Sequence, residues 1–450
     1  MGLTLLQAVY QATDCLRLVP GGLKRRLKGK SSSHGGFLSS EKYSIIERLS
    51  ARAKDATLDI QLSNRVKRIK PSPTLAVTAR AAKLKAAGKD IIGLGAGEPD
   101  FDTPEHIKEA AIKAIRDGFT KYTAVDGTAG LKKAVCDKFA RDNGLTYVPE
   151  QVLVSCGGKQ SFYNLVQALL NPGDEVIIPA PYWVSYPDMV LLADGTPVIV
   201  YAGIEQGFKI TPTQLEKAIT PKTRLFVINS PANPTGTAYS FAELQALADV
   251  LRRHPHILVA TDDMYEHIIW QAEPFSNILN AAPDLYARTI VLNGVSKAYS
   301  MTGWRIGYCG GPADLIAAMT NVQSQSTSNP TSISQVAAQA ALEGDQSCIQ
   351  VMIKAFKERH DFVVAELNNI DGVRCIASQG TFYALPLMQD LIDRLDGVNN
   401  DVELAEYFLQ KVGVALVPGS AFGAPGYMRL SYATSMDTLR EALKRIKAAI

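Results

Sequence analysis

The sequence predicts an α/β protein with a mostly parallel β-sheet, helices on both faces and a smaller α+β domain. Short β-branched runs alternate with helical patterns from about residue 74 to residue 294, the arrangement that produces parallel strands joined by crossover helices. These runs lack apolar–polar alternation, so both faces of the sheet should be covered. From about residue 340 the strand patterns lie close together with few helices between them, which favours a separate α+β domain.

The predicted elements follow one another in a regular order. An amphipathic helix ending at Gly88 precedes the strand and glycine-rich turn IIGLGAG and two further helices. Strands of the main sheet are predicted in QVLVSC, DEVIIPAP, TPVIVYA, RLFVINSP, ILVATDDMY and TIVLNG. The C-terminal region should contain strands in VRCIA, TFYALPL, VALVPG and YMRLSYA, and a final helix from about Met436.

Composition excludes several classes of protein. The chain has 450 residues, of which 46% are hydrophobic and 20% charged, as in a globular protein with a large core and two domains. A net charge of +3 is too small to indicate a nucleic-acid partner, and no apolar run is long enough to span a membrane. The cysteines are scattered and the histidines form no ligand motif, so we predict a reducing compartment, no disulfide framework and no metal.

The first 40 residues differ from the rest of the chain. They contain one acid, Asp14, against a basic cluster between Arg17 and Lys30, which is typical of an organelle transit peptide. The alternative is a poorly ordered extension that results from a start codon placed too far upstream. We predict a cytoplasmic protein, or a mitochondrial or plastid one if residues 1–57 are a transit peptide.

Three segments are therefore expected. Residues 1–57 form a leader, residues 58–103 and 340–450 form the small domain, and residues 104–339 form the large domain.

Polar residues follow several predicted strands, where the ligands of open parallel sheets bind. Gly157 and Gly158 come after VLVSC and open a helix, so their N–H groups could approach an anion. The alternative is an ordinary strand–helix turn. Asn233 lies in SPANPTG after another strand, although Asn before Pro is also common in simple turns.

Two further strand ends carry charged residues. Asp262 and Tyr265 follow ILVAT, and a buried carboxylate there needs a cation or several donors; alternatively, Asp262 or Asp263 caps a helix. Lys297 and Arg305 lie in VSKAYSMTGWRIGY. Burial beside a second cation would make the lysine nucleophilic, whereas the simpler interpretation is a lysine that extends its ammonium to water.

A lysine, a carboxylate, an anion cradle and a second cation together suit pyridoxal phosphate, a phosphorylated aldehyde. The lysine would bond to the aldehyde, the glycine N–H groups and Arg305 would hold the phosphate, and Asp262 would keep the ring nitrogen protonated.

The run GLGAG also suggests a dinucleotide site. However, EPDFDTP follows it in place of a helix, which argues against a nicotinamide oxidoreductase.

Several motifs together resemble the fold-type I aminotransferases that depend on pyridoxal phosphate. They are SKAYSMTGWRIGY, SPANPTG, SCGGKQ, SPTLAV, GAGEPDFDTPEHI and MRLSYA. The chain is most similar to the bacterial-type aspartate aminotransferases, a subgroup that includes prephenate aminotransferases, from about Leu62 to Ile450. The resemblance implies a seven-stranded type of sheet and a homodimer with active sites at the subunit interface.

The resemblance also implies roles around the cofactor ring. Lys297 would be linked covalently to the cofactor and would move the Cα proton. Asp262 would pair with the ring nitrogen, and Asn233 and Tyr265 would bind the ring 3-oxygen. Trp183 would stack on the ring, and both Trp183 and Asn233 would also face the substrate.

A second group of residues would bind the cofactor phosphate. The resemblance assigns this role to Gly157, Gly158, Arg305 and Ser296. Tyr122 would reach the same phosphate from the other subunit.

The remaining implied roles concern the substrate. Arg429 would hold the α-carboxylate, a task that suits a planar guanidinium, and Gly97 would leave room for it. Lys159 would bind a distal carboxylate, and Thr74 with Lys159 would accompany the use of prephenate, with Lys70 as another candidate cation. The alternative is that Lys159 serves aspartate and glutamate only and Thr74 is a helix N-cap.

The expected activity is transamination between aspartate or glutamate and the oxo acids 2-oxoglutarate and oxaloacetate, together with conversion of prephenate to arogenate. The alternatives are an aminotransferase for other amino acids or a lyase of the same fold. A binding protein without activity is disfavoured because Lys297, Asp262 and Arg429 are all present.

Overall fold

The computed structural model describes residues 60–71 and 73–450, and residues Ser63–Ile450 form one compact unit. The leader predicted for residues 1–57 lies outside the described residues. The strands are β1 (Ile92–Gly93), β2 (Val152–Ser155), β3 (Glu175–Ala180), β4 (Thr196–Tyr201), β5 (Thr223–Asn229), β6 (Leu258–Asp262), β7 (Thr289–Gly294), β8 (Gly307–Gly310), β9 (Tyr383–Ala384), β10 (Val414–Ala415), β11 (Val417–Pro418) and β12 (Met428–Ser431).

The helices surround these strands and join most of them. They are α1 (Asn64–Arg68), α2 (Pro73–Ala86), α3 (Glu105–Arg116), α4 (Ala129–Asn143), α5 (Gly158–Leu169), α6 (Ser185–Leu192), α7 (Pro212–Ala218), α8 (Phe241–Arg252), α9 (Ile278–Ala281), α10 (Ala313–Ser324), α11 (Ser332–Glu343), α12 (Ser347–Asn368), α13 (Gln389–Arg394), α14 (Asp401–Val412) and α15 (Met436–Ala448).

The main sheet has seven strands in the order β2-β8-β7-β6-β5-β3-β4. Strand β8 runs antiparallel to β2 and β7, and the other neighbours are parallel. The predicted α/β class with a mostly parallel sheet is confirmed. Strand β8 was not predicted, because its sequence GYCG has two glycines and no β-branched residue to mark a strand.

Apolar side chains cover both faces of this sheet. Along β3, Ile177 belongs to one buried cluster, whereas Val176 and Ile178 belong to another. On β5, Phe226 packs into the first cluster and Leu225 into the second, since successive side chains point to opposite faces. The missing polar alternation in the sequence therefore reflects helices on both sides.

Local signals determine where several helices begin and end. Thr128 precedes α4 and accepts a hydrogen bond from Leu131 N, and Gly144 ends the helix in a left-handed conformation. Ser240 and Glu243 form a capping box at the start of α8. These are the residue types that best satisfy the free N–H and C=O groups of helix ends.

Short strands and four helices form the C-terminal region. Strands β11, β12 and β9 make an antiparallel sheet, and β1 pairs in parallel with β10. Helices α12, α13, α14 and α15 all contribute to the buried cluster around these strands. The strand predicted in VRCIA is wrong, because Arg374 makes only an isolated bridge with Leu387.

The pairing of β1 with β10 connects the two sequence segments of the proposed small domain. It supports that grouping, and the boundaries at residues 58–103, 104–339 and 340–450 stay a prediction. Over residues 60–71 and 73–450, no helix combines the length and apolar character needed to cross a membrane.

Candidate active site

A cavity of about 440 Å³ lies at the carboxyl ends of the central strands. It collects most of the residues selected from the sequence: Thr74, Gly97, Gly158, Lys159, Trp183, Asn233, Asp262, Tyr265, Ser296, Lys297, Arg305 and Arg429. Residues that are far apart in the chain thus meet at the edge where parallel strands end, as expected for such a sheet.

Lys297 follows β7 and lines the cavity. Its Nζ donates a hydrogen bond to the backbone carbonyl of Gly97 and lies 5.9 Å from the ring centroids of Tyr265 and Phe382. Burial lowers the pKa of Lys297 to about 8; the carboxylate of Glu98 opposes this shift, and nearby guanidinium groups add to it. A substantial fraction of this lysine is therefore a neutral nucleophile near pH 8.

Asp262 is the last residue of β6 and faces the cavity. One carboxylate oxygen accepts a hydrogen bond from the hydroxyl of Tyr186, and the other accepts from Met264 N at 3.2 Å. Burial raises the pKa of this carboxyl, although both hydrogen bonds oppose the shift. A cationic ring nitrogen beside it would favour the ionised form.

The helix-capping alternative for Asp262 and Asp263 is wrong. Residues 264–267 form turns and the next helix starts at Ile278. Asp263 instead accepts hydrogen bonds from Thr261 Oγ1 at 2.6 Å and Asn277 Nδ2 at 2.8 Å.

The start of α5 and Arg305 together form an anion cradle. A Cβ on Gly157 would collide with the guanidinium of Arg305, so that group lies directly against the first residue before the helix. Arg305 itself adopts a positive φ of 57° and donates to the carbonyls of Cys156 at 3.1 Å and Thr302 at 2.9 Å. Ser296 is buried and lines the same cavity. An ordinary strand–helix turn would not require this guanidinium.

Arg429 lies on β12 and is only 2% exposed. Its Nη1 donates to Asn233 Oδ1 at 3.1 Å and its Nη2 to the carbonyl of Gly95 at 2.7 Å. The guanidinium lies 4.5 Å from the ring of Tyr383 and 4.8 Å from that of Phe422. Its Nε is buried without a partner in the described part of the chain, so a bound anion could satisfy it.

Two residues predicted to select the substrate also reach the cavity. Lys159 is on the first turn of α5, with its Nζ 5.2 Å from the ring centroid of Trp183; burial, and then Arg305, lower its pKa. Thr74 is the second residue of α2, and its buried hydroxyl has no partner within the described residues. The N-cap alternative for Thr74 is wrong, because the helix begins one residue earlier at Pro73.

Three predicted site residues do not line the cavity. Gly157 lies behind the guanidinium of Arg305. Lys70 is exposed, and Tyr122 is 91% exposed; neither of these two is among the lining residues.

Other residues near the site are not predicted from the sequence. Tyr186 donates to Asp262, and its ring centroid lies 5.2 Å from that of Trp183, a contact that the three-residue spacing of the two aromatic residues could have indicated. Tyr383 forms a 3.1 Å hydrogen bond with Tyr265 through the two hydroxyls. Asn229, the last residue of β5, donates to the carbonyl of Asp262 at 2.8 Å, and no spacing signal marked it or Tyr383.

These residues fit pyridoxal phosphate. The cavity offers a nucleophilic amine at Lys297, a buried carboxylate at Asp262 and an anion cradle at Gly157 and Arg305, and Arg429 has an unsatisfied donor. In the described residues, no group of three or more His, Cys, Asp or Glu side chains is placed to hold a metal. The fold and the site together define an enzyme of fold type I that uses pyridoxal phosphate.

Comparisons with known proteins identify the family within that class. The sequence profile described as "Aminotransferase class I and II" matches residues 89–446, and the chain belongs to this family. It is therefore an aminotransferase that depends on pyridoxal phosphate.

Two similar proteins carry the same name. The chain is 65% identical over 396 residues to the aspartate/prephenate aminotransferase of Nitrosomonas europaea, covering 87% of this chain and 100% of the relative. The protein of the same name from Cereibacter sphaeroides is 56% identical, covering 86% of this chain and 98% of the relative.

Solved structures of aspartate aminotransferases have a similar fold. The aspartate aminotransferase of Rhizobium meliloti superposes with a TM-score of 0.84 at 49% identity, covering 87% of this chain and 98% of the other. The aspartate aminotransferase of Thermus thermophilus with maleate gives 0.82 at 43% identity, covering 87% of this chain and 100% of the other.

Proposed function

We propose that this aminotransferase transfers the amino group between aspartate or glutamate and the oxo acids 2-oxoglutarate and oxaloacetate, and that it also converts prephenate to arogenate. The observation that carries the proposal is the charge of the cavity. Its lining includes four cationic side chains, Lys159, Lys297, Arg305 and Arg429, against two acids, Glu98 and Asp262. That excess suits a cofactor phosphate and a substrate with two carboxylates. The names of the relatives favour the same substrates.

We assign the cofactor-binding roles to residues of this cavity. When bound, pyridoxal phosphate supplies an aldehyde carbon for the amino group and a ring that withdraws electrons from the substrate. Lys297 would hold the cofactor covalently, and once released its amine would move the proton from the substrate Cα. Asp262 would keep the ring nitrogen protonated, Asn233 and Tyr265 would bind the 3-oxygen, and Trp183 would cover one ring face.

The phosphate would bind where the anion cradle lies. Gly157 and Gly158 would flank the phosphate at the positive end of α5, and Arg305 and Ser296 would supply side-chain donors. The N–H of Gly157 itself bonds to the Ser155 carbonyl at 2.7 Å, so it would have to exchange that acceptor for the phosphate.

We also propose a homodimer in the cytoplasm, in which Tyr122 of one subunit reaches the phosphate held by the other. Its 91% exposure supports a role outside its own subunit.

The substrate would lie between two cations. Arg429 would bind the α-carboxylate as a bidentate pair beside Gly97, because its buried Nε still lacks an acceptor. Lys159 would bind the distal carboxylate, and the unpaired hydroxyl of Thr74 would add a hydrogen bond when that carboxylate belongs to prephenate. Lys70 remains a candidate for the same role from the exposed segment before α2.

Half-reaction spectroscopy on the purified holoenzyme tests the proposal. Aspartate or glutamate should remove the visible absorbance of the bound cofactor, and oxaloacetate, 2-oxoglutarate or prephenate should restore it. Recovery with the first two acids alone would restrict the activity to aspartate and glutamate. Pyruvate and ammonia formed from serine without any oxo acid would instead show a lyase.

Two variants connect the substrates with residues. Lys159→Met should lower kcat/KM for aspartate and prephenate by about tenfold or more, because a substrate carboxylate enclosed on binding would lose its cationic partner. Thr74→Val should lower kcat/KM for prephenate alone. Equal losses for both substrates in Thr74→Val would contradict its proposed role.

A further inference from the structure

A buried network of charged and amide side chains connects the turn after β6 with the end of β7. Glu266 is 4% exposed; its Oε2 accepts from Asn143 Nδ2 at 2.6 Å, and its Oε1 accepts from Asn293 Nδ2 at 2.7 Å. Lys138, which is fully buried, donates to the same Glu266 and to Asn143 Oδ1 at 2.7 Å. None of these four residues lines the cavity.

The network holds the elements that carry the proposed catalytic groups. Glu266 directly follows Tyr265 and lies four residues after Asp262. Asn293 lies at the end of β7, four residues before Lys297. The hydrogen bond between Glu266 and Asn293 therefore joins the segment that bears the carboxylate to the segment that bears the nucleophile.

The energetics favour a geometric role for this network. Burial disfavours the charge of Glu266, but Lys138, followed by His267 and Asn143, outweighs that effect and keeps the pKa of Glu266 below its ordinary value. A buried ion pair is often no more stabilising than apolar residues of similar volume. Its hydrogen bonds, however, are directional and fix the separation of the groups they join in a way that apolar contacts do not.

We infer that Glu266, held by Lys138, Asn143 and Asn293, is a positioning residue that sets the placement of Asp262 and Tyr265 relative to Lys297. The inference rests on the proposed function, because the roles assigned there to those three residues make their relative placement matter.

The network allows a test in which a second substitution restores what the first one disrupts, because both charges can be removed together. In Glu266→Gln, Lys138 loses its closer counter-ion and keeps only Asp142 at 3.8 Å. The new amide N–H₂ then faces the N–H₂ donor of Asn143. In the double variant Lys138→Met/Glu266→Gln both charges are gone, and the Asn143 amide can turn so that its oxygen accepts from Gln at position 266. That side chain can still accept from Asn293, so a neutral network of similar shape forms.

The experiment begins with wild-type holoenzyme, whose transamination and cofactor binding must be established first. Failure at that stage overturns the proposed function and is separate from the outcomes below. The measurements on each variant are the Kd of the apoprotein for pyridoxal phosphate, kcat, KM and the melting temperature. The matched control is Lys132→Met, since Lys132 is a 9% exposed lysine on the same helix α4 that pairs with Asp126.

Glu266→Gln is expected to raise the Kd for pyridoxal phosphate and to lower kcat by about tenfold or more each, because a misplacement of about 1 Å can cost 10²-fold. KM should change by less than about threefold, since substrate contacts are intact. The control should leave all three constants within about threefold even if it melts earlier. The double variant should recover most of the loss in Kd and kcat.

Two results would overturn the inference. One is a Glu266→Gln variant with Kd and kcat within about threefold of wild type. The other is a control that loses as much as Glu266→Gln for the same fall in melting temperature, which would mean a general stability effect. If Glu266→Gln does not fold, Asn293→Leu decides, because it keeps the Lys138–Glu266 pair and removes the bond from Asn293 to Glu266, together with the local bond that Gly294 N donates to Asn293 Oδ1. A tenfold loss of kcat there supports the inference, and a smaller one overturns it.

Discussion

Two buried lysines lie in neighbouring parts of this molecule and have opposite surroundings. Lys138 is fully enclosed and donates to the carboxylate of Glu266 and to Asn143. Lys297 donates to the backbone carbonyl of Gly97, and burial lowers its pKa to about 8. The same side chain therefore supports structure where a carboxylate balances it and becomes available for chemistry where burial outweighs the nearby carboxylates.

The largest effect on activity should come from replacing Lys297, the lysine proposed to carry the chemistry. Lys297→Ala is expected to lower kcat by at least about 10²–10⁴-fold, the usual contribution of a positioned proton-transfer group, and to abolish covalent attachment of the cofactor. Steady-state transamination and denaturing mass spectrometry after borohydride reduction measure both effects. A kcat within tenfold of the wild-type value would show that Lys297 does not take part in the reaction.

Replacing Lys138, the lysine paired with Glu266, should instead lower the stability of the fold. Lys138→Met leaves the Glu266 carboxylate buried without its cation, so the free energy of unfolding should fall by about 3–5 kcal/mol. Denaturant unfolding of the holoenzyme measures this, and Lys132→Met, whose partner Asp126 is 31% exposed, should lose less. An equal loss in both variants would show that the depth of burial does not matter.

The pH dependence should distinguish the two lysines further. In the apoprotein the pKa of Lys297 is about 8 against 10.5 when unfolded, so the unfolded chain binds more protons between these values and stability rises with pH across that window. Below pH 8 the full cost of charging a buried amine is present. Lys297→Met should therefore stabilise the apoprotein at pH 7 by about 1–3 kcal/mol.

That gain should shrink as the pH approaches 10.5, which denaturant unfolding at several pH values would show. Lys138→Met, by contrast, should destabilise the protein at pH 7. The comparison fails if both substitutions change the stability at pH 7 in the same direction.

The smallest effect is expected at an exposed ion pair. Lys113 pairs with Asp117 on the surface of α3, with 76% and 56% of their side chains exposed. Because water screens such pairs, Lys113→Ala should leave the unfolding midpoint and kcat unchanged within error. A measurable loss of stability would mean that surface pairs contribute more here than their exposure suggests.

The sequence predicted the parts of this architecture that depend on local pattern. The β-branched runs predict six strands of the main sheet, and residues at or after the ends of five of them (all but β4) lie in the cavity, as expected at the edge where parallel strands end. Strand β8 was missed since its four residues, GYCG, carry no strand signal. VRCIA has the composition of a strand but finds only an isolated bridge at Arg374.

Contacts between distant residues were beyond the sequence. Lys138 and Glu266 pair across 128 residues, and neither carries a mark that distinguishes it from surface charges on a helix or turn. Tyr383 likewise meets Tyr265 only through the packing of the C-terminal region against the strand ends. Such partners are set by tertiary packing, which spacing along the chain does not encode.

The cradle at the start of α5 also has an evolutionary consequence. Any side chain larger than hydrogen at position 157 would strike the guanidinium of Arg305, which is itself held in a backbone conformation that few residues adopt. A larger residue at position 157 would therefore displace the guanidinium, and the positive φ of 92° at that position favours glycine in any case. Although the two codons are far apart in the gene, substitution of Gly157 should be found only in lineages whose position 305 has also changed.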